Sequence, residues 1–579
     1  MHRCLQVNEI LLTIIDYAKI MWHLESPSEE YMWNTYGGYH TVLRMAMTCQ
    51  AFKEPALDIL WHNLITLVPL IQTLPQDAWC KSDTLNTYGE KQCIITVMRP
   101  LVSTDWDRFL YYSPRIRRLG FRDIEFRDQE FEMLLQSCAI PPDCAIDAHC
   151  YTSLSLYRPV KVLLPNLGAL RWNIHQIDAL QFVSLFFGPS LKSFSLALSH
   201  NSRANLDPSL YSPIVSTLTS LLDICPSLLE FEMYGMEPKC IVDAIHAIAL
   251  TRPNLRKFVV HYQAWTDDFI SHLCRMPRLC NVAIEKPDAT DFGFLTIPDH
   301  YPPFMHLTKL SLRLQSMVSC IHLLDLMRAF KLEEIWMHAF IPATAAEILQ
   351  FLETLRDRCS HSSLRVVRLP GVEFSKWPKE LDERHTVTSE TLEPLLCFSN
   401  MRIIQIQSPS SFEVDNLALE RMARAWPQLY ILMLQISWVE SIEVTFKGLA
   451  RLVTLCPKLT RLSIAINAES DDLDSDALAA LVPNSHMRKL DLMNSTFGKM
   501  DMVASCLVTL FPRLDRVDGC RGGLIEDGGR SMDSYTYYLQ LGMACLNARL
   551  ERKTDRMDVR RGLYPRRAVN ELNPWASGP

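Results

Sequence analysis

Residues able to bind a metal ion occur in this chain, but their spacing does not suit a metal site. The acidic run from Glu469 to Asp476 begins like a calcium-binding loop. However, Ala477 replaces the glycine such a loop needs, and Pro483 stands where its final glutamate belongs. We therefore interpret the run as a solvated loop that leads into a helix, and we predict neither a metal ion nor a cofactor.

The 18 cysteines are also arranged unlike zinc ligands or a disulfide framework. They lie singly, without any C-x-x-C pair, and the regularly spaced Cys138, Cys144 and Cys150 fall in a proline-bearing insert. Zinc sites bring paired cysteines, and disulfide scaffolds carry many more cysteines per residue. The sequence therefore predicts buried, reduced thiols.

No local motif of an enzyme is present in the sequence. We find no G-x-x-x-x-G-K-[ST], no G-x-G-x-x-G after a strand, no H-E-x-x-H and no G-x-S-x-G. A catalytic triad assembled across a fold has no local signature, so this absence does not decide the question alone. It favours a protein that binds and does not catalyse.

Composition excludes several other classes of protein. Hydrophobic residues make up 48% of the chain, with 19 glycines and 33 prolines, which is too apolar for a disordered protein. The 58 basic and 65 acidic residues give a net charge of −7, which does not favour nucleic acid or an acidic membrane as the main partner. Neither a signal-peptide pattern nor an apolar run of ~18 residues is found, so we expect a cytosolic or nuclear protein.

A repeat of apolar residues runs through most of the chain. Each copy has apolar residues at a first position and at the third and fifth residues after it, as in Leu228, Phe231 and Met233. Thirteen copies have a mean spacing of about 29 residues, and residues 116 to 121 form an earlier, isolated copy. The first positions are Leu167, Leu191, Leu228, Leu255, Leu279, Leu307, Leu332, Leu364, Met401, Leu429, Leu459, Met487 and Leu514.

The repeat predicts short parallel strands alternating with helices. Apolar residues two apart face the same side of a strand, and helical periodicity follows, as between Ile214 and Leu222. Several helices should end at a proline just before the next strand, as at Cys225-Pro226 and Cys456-Pro457. The two cysteines share one register and are expected to pack at the helix ends.

This pattern resembles the leucine-rich repeat, whose consensus is L-x-x-L-x-L-x-x-N. The resemblance implies an α/β horseshoe solenoid with parallel strands on the concave side and helices outside. The asparagine that closes each turn in regular repeats is almost absent here, although Asn467 fits. We therefore expect variable curvature and long inserts.

Residues 5 to 64 lack the repeat and have the pattern of three short helices. Glu9-Ile10-Leu11, Thr48-Cys49 and the run from Pro55 to Trp61 occur in the order typical of an F-box, in the form common in fungal proteins. Asn8 stands where that pattern usually has proline, and an insert from Glu25 to Gly38 lengthens the module. The alternative is a helical unit that only caps the first repeat, as every solenoid requires.

An F-box followed by leucine-rich repeats is similar in layout to the substrate receptors of SCF-type cullin–RING ubiquitin ligases. The resemblance implies that the F-box binds a Skp-type adaptor, and through it a cullin, while the repeats bind a protein substrate. The alternative function is a leucine-rich-repeat scaffold without ubiquitin chemistry. The adaptor-binding residues implied by the resemblance are Leu5, Val7, Glu9, Ile10, Leu11, Ile14, Cys49, Phe52, Pro55, Leu57, Leu60 and Trp61.

Substrate-binding candidates come from the residues that flank the inner apolar pair of each strand. These residues point away from the core, and aromatic and arginine side chains dominate binding hot spots. Trp336 is the sharpest candidate, and Ile403, Ile431 and Met433 form a possible apolar patch that a partner or an insert could cover. The predicted substrate-binding residues are Tyr234, Lys257, His261, Lys309, Arg313, Glu334, Trp336, His338 and Arg368.

The resulting domain prediction has four parts. Residues 1–65 form the F-box-like module, 66–113 a connecting segment, 114–517 the solenoid, and 518–579 a C-terminal cap helix with a basic tail. The cap helix is predicted between Tyr535 and Ala548. The basic tail is interpreted as an exposed, charged end, with nuclear import or phosphate binding as the alternative.

Overall fold

The structure is a computed structural model in which most of the chain is described. It describes residues 10–11, 13–15, 17, 36–85, 91–121, 144–174, 177–198, 208–234, 238–261, 265–286, 292, 304–327, 331–370, 383–436, 442–469, 482–493, 495–497, 500–514, 516–519, 524–527 and 530–533. The chain divides into two compact units: unit 1 comprises residues 1–315 and 326–330, and unit 2 comprises 316–325 and 331–579. The predicted helix near Tyr535 lies outside the described residues.

Unit 1 begins with a small helical module. The described residues between 10 and 17 are helical, and two further helices span Tyr36–Ala46 and Gln50–His62. One residue from each of these three segments enters a common buried cluster: Ile15, Val42 and Ala56. Half-buried side chains pack around that cluster, so the module has an apolar core of its own, although a small one.

The described strands of unit 1 follow the predicted repeats, with several additions. They are β1 (Asn63–Leu64), β2 (Trp79–Leu85), β3 (Lys91–Val97), β4 (Arg118–Leu119), β5 (Cys144–Ile146), β6 (Ala169–Ile174), β7 (Ser193–Leu198), β8 (Glu230–Tyr234), β9 (Lys257–His261), β10 (Asn281–Lys286) and β11 (Lys309–Leu314). Within the unit, a parallel sheet has the order β1-β4-β6-β7-β8-β9-β10-β11.

The register of this sheet stacks the predicted apolar positions on one another. Phe194 pairs with Phe231, and Phe231 pairs with Phe258, so the second apolar position of each repeat forms one row. The ring centroids in that row are 6.3 Å and 5.7 Å apart, and all three rings are fully buried. Stacked aromatic neighbours add favourable ring contacts to the hydrophobic gain of burial.

The sheet begins earlier than the repeat pattern indicated. The isolated copy at residues 116 to 121 is a regular strand, β4, which pairs with β6. β1 was not expected; it follows the helix Gln50–His62 directly and pairs with β4. β1 has two residues and no repeat pattern around it, which is too little for alternation to reveal it in the sequence.

Helices lie between the strands of unit 1, as the repeat pattern predicted. Burial along them falls on one face, for example at Ile241, Ile245 and Ile248. The α-helices of unit 1 beyond the module are Val68–Ile71, Asp107–Tyr112, Ala148–Tyr157, Tyr211–Ile224, Lys239–Thr251 and Asp267–Cys274.

The predicted connecting segment contains part of a separate small sheet. β2 and β3 form an antiparallel hairpin, and β3 pairs in parallel with β5. A 3-10 turn, Ser103–Trp106, then leads into the helix Asp107–Tyr112.

The described strands of unit 2 are β12 (Glu334–Ala339), β13 (Val366–Leu369), β14 (Val387–Thr388), β15 (Ile403–Ser408), β16 (Phe412–Glu413), β17 (Ile431–Ile436), β18 (Arg461–Ser463), β19 (Asn467–Ala468), β20 (Lys489–Asp491), β21 (Thr496–Phe497), β22 (Arg516–Asp518), β23 (Leu524–Asp527) and β24 (Arg530–Asp533). Its main sheet is parallel, with the order β12-β13-β15-β17-β18-β20-β22.

The α-helices of unit 2 are Met317–Leu326, Ala345–Arg358, Ser389–Leu392, Asn416–Ala425, Phe446–Leu455 and Met500–Leu510. The helix Phe446–Leu455 stops at Cys456, immediately before Pro457, because proline cannot donate the next helical hydrogen bond. The buried Cys456 thiol lies 3.4 Å from the carbonyl oxygen of Trp426, so it packs at the end of the preceding repeat.

Each unit therefore has the α/β architecture of leucine-rich repeats, with a parallel sheet whose strands alternate with helices. This confirms the predicted fold class. Among the helices that the structure describes, none is long and apolar enough to span a bilayer.

Candidate interaction surfaces

Three of the twelve predicted adaptor-binding residues, Leu5, Val7 and Glu9, lie outside the described residues. The other nine belong to the helical module or its turn. Leu11 and Pro55 are buried, and Ile10 and Ile14 are exposed. The remaining five are half-buried: Cys49, Phe52, Leu57, Leu60 and Trp61.

Three of the half-buried residues make contacts inside unit 1. Leu60 packs against the three-helix cluster, as does Phe52. The Trp61 ring stacks on Tyr112, with a centroid distance of 4.3 Å. Leu60 therefore holds the module together, while Trp61 joins it to the segment that precedes β4.

The module leaves apolar side chains exposed on two helices. Ile10, Ile14 and Tyr17 lie at i, i+4 and i+7, on one side of the first helical segment, with 39%, 38% and 63% exposure. Leu43 and Met47, also four residues apart, are exposed near the end of the second helix. These exposed side chains add nothing to the module's own core, so among its described residues they form its exposed apolar surface.

A charged cluster fixes the module to the repeats of unit 1. Arg115 forms ion pairs with Glu54 and Asp58, both on the helix Gln50–His62. Tyr111 donates a hydrogen bond to Glu54 at 2.8 Å. These hydrogen bonds, first from Tyr111 and then from Arg115, lower the pKa of the Glu54 carboxyl below its ordinary value. Together with the Trp61–Tyr112 stack, they join the helix Gln50–His62 to the segment that precedes β4.

On each strand, the residues between the inner apolar positions point to the opposite face of the sheet. We call this face the open face. In unit 1 the central row of this face contains Arg171, Ser195 and Glu232 on β6, β7 and β8. Arg171 Nη2 lies 3.6 Å from Glu232 Oε2, although β7 runs between them. The small Ser195 side chain, which is 1% exposed, lets the two long side chains meet above it.

Glu232 also pairs with Lys257 on the other side, so it joins two cations. Burial alone would raise the pKa of the Glu232 carboxyl, but the charges of Lys257 and Arg171 outweigh it and lower the pKa below its ordinary value. Lys257, a predicted substrate-binding residue, thus forms an ion pair with Glu232 within the chain. Arg171 was missed because its partner is two strands away, beyond the reach of any repeat-by-repeat comparison.

The other predicted residues of unit 1 are also engaged. Tyr234 is 7% exposed and stacks on His261 of the next strand, with centroids 4.8 Å apart. Arg313 Nε lies 3.7 Å from Glu285 Oε1. Lys309 is half-buried at the start of β11. Most of the predicted residues on the open face of unit 1 are therefore already in contact with other side chains of the chain.

Two arginines contact the ring of Phe121 near the first strands of this face. The guanidinium groups of Arg118 and Arg171 lie 4.6 Å and 5.1 Å from the ring centroid of Phe121. Gly120, just before it, has a φ of 87°, and a Cβ there would collide with the Arg171 carbonyl oxygen at 1.9 Å. Glycine is required at this turn by both conformation and space.

In unit 2, three predicted residues lie together on β12. Glu334, Trp336 and His338 are half-buried and occupy alternate positions. The rings of Trp336 and His338 stack with a centroid distance of 6.0 Å. Trp336 thus faces the open side, as the register predicted, and its ring lies alongside a neighbour on the same strand.

Arg368, on the next strand, is 1% exposed and donates a hydrogen bond to Gln405 Oε1 at 3.1 Å. An arginine placed outward by its register was expected to reach solvent, but it is buried. A substrate could contact Arg368 only after the side chains around it had moved.

The apolar residues of this face are buried as well. Val366, Ile403, Ile431 and Met433 form a hydrophobic cluster separate from the inner core, with exposures of 7%, 6%, 1% and 8%. Val366 pairs with Ile403, and Ile403 pairs with Ile431, so the cluster is a row across β13, β15 and β17. The sequence left open whether a partner or an insert of the chain covers this patch. The structure shows that the patch is buried within the chain.

In the part of the chain that the structure describes, no group of three or more histidine, cysteine, aspartate or glutamate side chains is placed to hold a metal ion. The acidic residues 470 to 476 lie outside that part.

No family model matches the sequence. No curated protein matches it either. Solved structures do match, among them a chain of the crystal structure of the Rad7 and Elc1 complex in yeast, with a TM-score of 0.37 and 13% identity. The match covers 67% of this chain and 86% of that chain. At this similarity it carries no argument about function.

Proposed function

We propose that this chain is the substrate-receptor subunit of an SCF-type ubiquitin ligase. The helical module binds a Skp-type adaptor and through it a cullin, and the repeats bind a protein substrate. The observation that carries the proposal is the apolar stripe of Ile10, Ile14 and Tyr17 on a module whose sequence resembles an F-box. Burying such a stripe on a partner would supply the stability that a core of this size lacks.

The receptor performs no bond chemistry in this proposal. Its contribution is effective concentration, because it keeps the lysines of a bound substrate near the charged E2 enzyme. The ion pairs of Arg115 support this role, since a module fixed to its repeats holds the adaptor at a constant distance from the substrate. We place this activity in the cytosol or nucleus.

The second candidate is a leucine-rich-repeat scaffold without ubiquitin chemistry. A cap needs a contact with the start of the solenoid, and the stack of Trp61 on Tyr112 is such a contact. In that function the module only covers the first strands.

Affinity capture of the full chain from cell extract tests the proposal. We expect the Skp-type adaptor and a cullin to be recovered, and the double variant Ile10→Asp, Ile14→Asp to weaken adaptor binding by roughly 100-fold or more. Both side chains are exposed, so the variant should keep its helix content by circular dichroism. Recovery of neither adaptor nor cullin with the unmutated chain would reject the ligase function in favour of the scaffold.

The matched control is Leu417→Asp, which adds one charge at an exposed leucine of a unit 2 helix and should leave adaptor binding unchanged. A second variant, Trp61→Ala, should loosen the module from the segment that contains Tyr112, as measured by faster amide exchange in residues 50–62. Equal adaptor binding by the Ile10, Ile14 double variant and by Leu417→Asp would contradict the assigned surface.

A further inference from the structure

Two cysteine thiols of unit 1 lie side by side on neighbouring strands. β3 and β5 run parallel, and Cys93 is the direct partner of Cys144 in their register. The two Sγ atoms are 3.2 Å apart, and both residues are half-buried. Directly opposed residues on adjacent strands have Cα atoms ~4.8 Å apart, which lies within the span of a disulfide.

The surrounding structure keeps the two thiols opposed. Ile95 and Ile146, two residues further along each strand, point to the same side and are buried. The Asp147 amide donates to the Ile95 carbonyl oxygen at 3.0 Å, which continues the pairing beyond β5. The cysteines therefore sit at the half-buried margin of a small apolar core, where a small solute can reach them.

Another thiol that packs against this sheet is in a different environment. Cys150 is fully buried, and its Sγ lies 3.3 Å from the Ile95 carbonyl oxygen. Burial raises the pKa of the Cys150 thiol to about 12, so it stays protonated at neutral pH. Only thiolates act as nucleophiles toward oxidants, so Cys150 is not a competitor.

We propose that Cys93 and Cys144 are a reversible oxidation site that forms a disulfide with hydrogen peroxide. One thiolate attacks a peroxide oxygen, so that an S–O bond forms, the O–O bond breaks and hydroxide leaves. The second thiolate attacks the sulfenic sulfur, an S–S bond forms, and the oxygen leaves as hydroxide. The two cysteines lose two electrons, and peroxide with the two thiol protons becomes two molecules of water.

The position of the pair explains why the bond would be reversible. A disulfide between these two half-buried residues would be open to a reductant, and exposed disulfides are reduced more readily than buried structural ones. The bond would close a ring from Cys93 to Cys144, which contains the helix Asp107–Tyr112 and β4. Closing a ring restricts the unfolded chain, so oxidation should stabilise unit 1 against heat.

Mass spectrometry of the full chain tests this proposal. After near-stoichiometric peroxide and alkylation, we expect a linked peptide pair joining Cys93 to Cys144 that is lost with dithiothreitol. The melting temperature without reductant should rise by roughly 3 to 8 °C. This measurement needs no variant, so a folding defect cannot hide the answer.

Serine variants assign the bond to these residues. Cys93→Ser and Cys144→Ser should each abolish the linked pair and leave the remaining thiol as a sulfenic acid that dimedone traps. Cys280→Ser removes a half-buried thiol whose Sγ lies against a backbone carbonyl, and it should leave the yield unchanged. In the unmutated chain, oxidation of Cys280 would show that the peroxide treatment was effective. If Cys93 and Cys144 were then still fully alkylated as reduced thiols, the proposal would be overturned.

Discussion

The open faces of the two units follow the same register but carry different chemistry. In unit 1, Glu232 joins Arg171 and Lys257 in a chain of charges across three strands. In unit 2, the row from Val366 to Ile431 is apolar and buried. The inner faces of both sheets are apolar, with a row of phenylalanines in unit 1 and a row of isoleucine, valine and leucine in unit 2.

This difference shows which positions the repeat constrains. An inner residue must fill the space between the sheet and its helices, so its type is restricted in every copy. The type of an outer residue is restricted only by the side chains next to it on adjacent strands. The charged side chains of unit 1 can therefore exchange their internal ion pairs for contacts with a partner, whereas the apolar row of unit 2 must first be uncovered.

The largest effect is expected from a charge placed in the apolar row. Ile403→Asp would bury a carboxylate between Val366 and Ile431, and should lower the free energy of unfolding by about 4 kcal/mol. Ser311→Asp is the control at an outward position of unit 1 beside Lys309 and Arg313, and should cost less than ~1 kcal/mol. Denaturant unfolding measures both. Similar costs would mean that the two faces do not differ in burial as described.

A smaller effect is expected from removing the carboxylate of unit 1. Glu232→Ala leaves Arg171 and Lys257 without their shared anion and should destabilise the chain by roughly 2 kcal/mol. Glu230→Ala removes the same group from the same strand and face, but Glu230 is exposed, so its loss should be close to neutral. If both variants unfold at the same denaturant concentration, the charge chain contributes nothing.

The smallest effect is a dependence on pH. Because the Glu232 pKa is lowered in the folded state, its contribution is complete above its ordinary value of 4.5 and is lost as the pH falls through the lowered pKa. The stability difference between the unmutated chain and Glu232→Gln should therefore shrink below about pH 4.5. Ile431→Ala should instead differ from the unmutated chain by a constant amount. A constant difference for Glu232→Gln would show that this carboxyl is not coupled to its cations.

The sequence predicted the parts of the fold that depend on periodicity. The positions of Phe231 and Leu432, and the helix end at Cys456, follow from spacing alone. The two-residue β1 could not be predicted, because a pattern needs several residues to show. The burial of Arg368 and the contact of Arg171 with Glu232 above Ser195 could not be predicted for another reason. Each depends on side chains from other strands, which no single repeat contains.

The join between the module and the sheet has a mechanical consequence. The helix Gln50–His62 ends at the residue before β1, and the Arg117 and Gly120 amides donate to the His62 and Leu64 carbonyl oxygens at 2.9 Å and 2.8 Å. No residue between helix and strand is free to act as a hinge. A displacement of the helix is therefore transmitted through the backbone to β1 and β4, so that the helix and these strands move together.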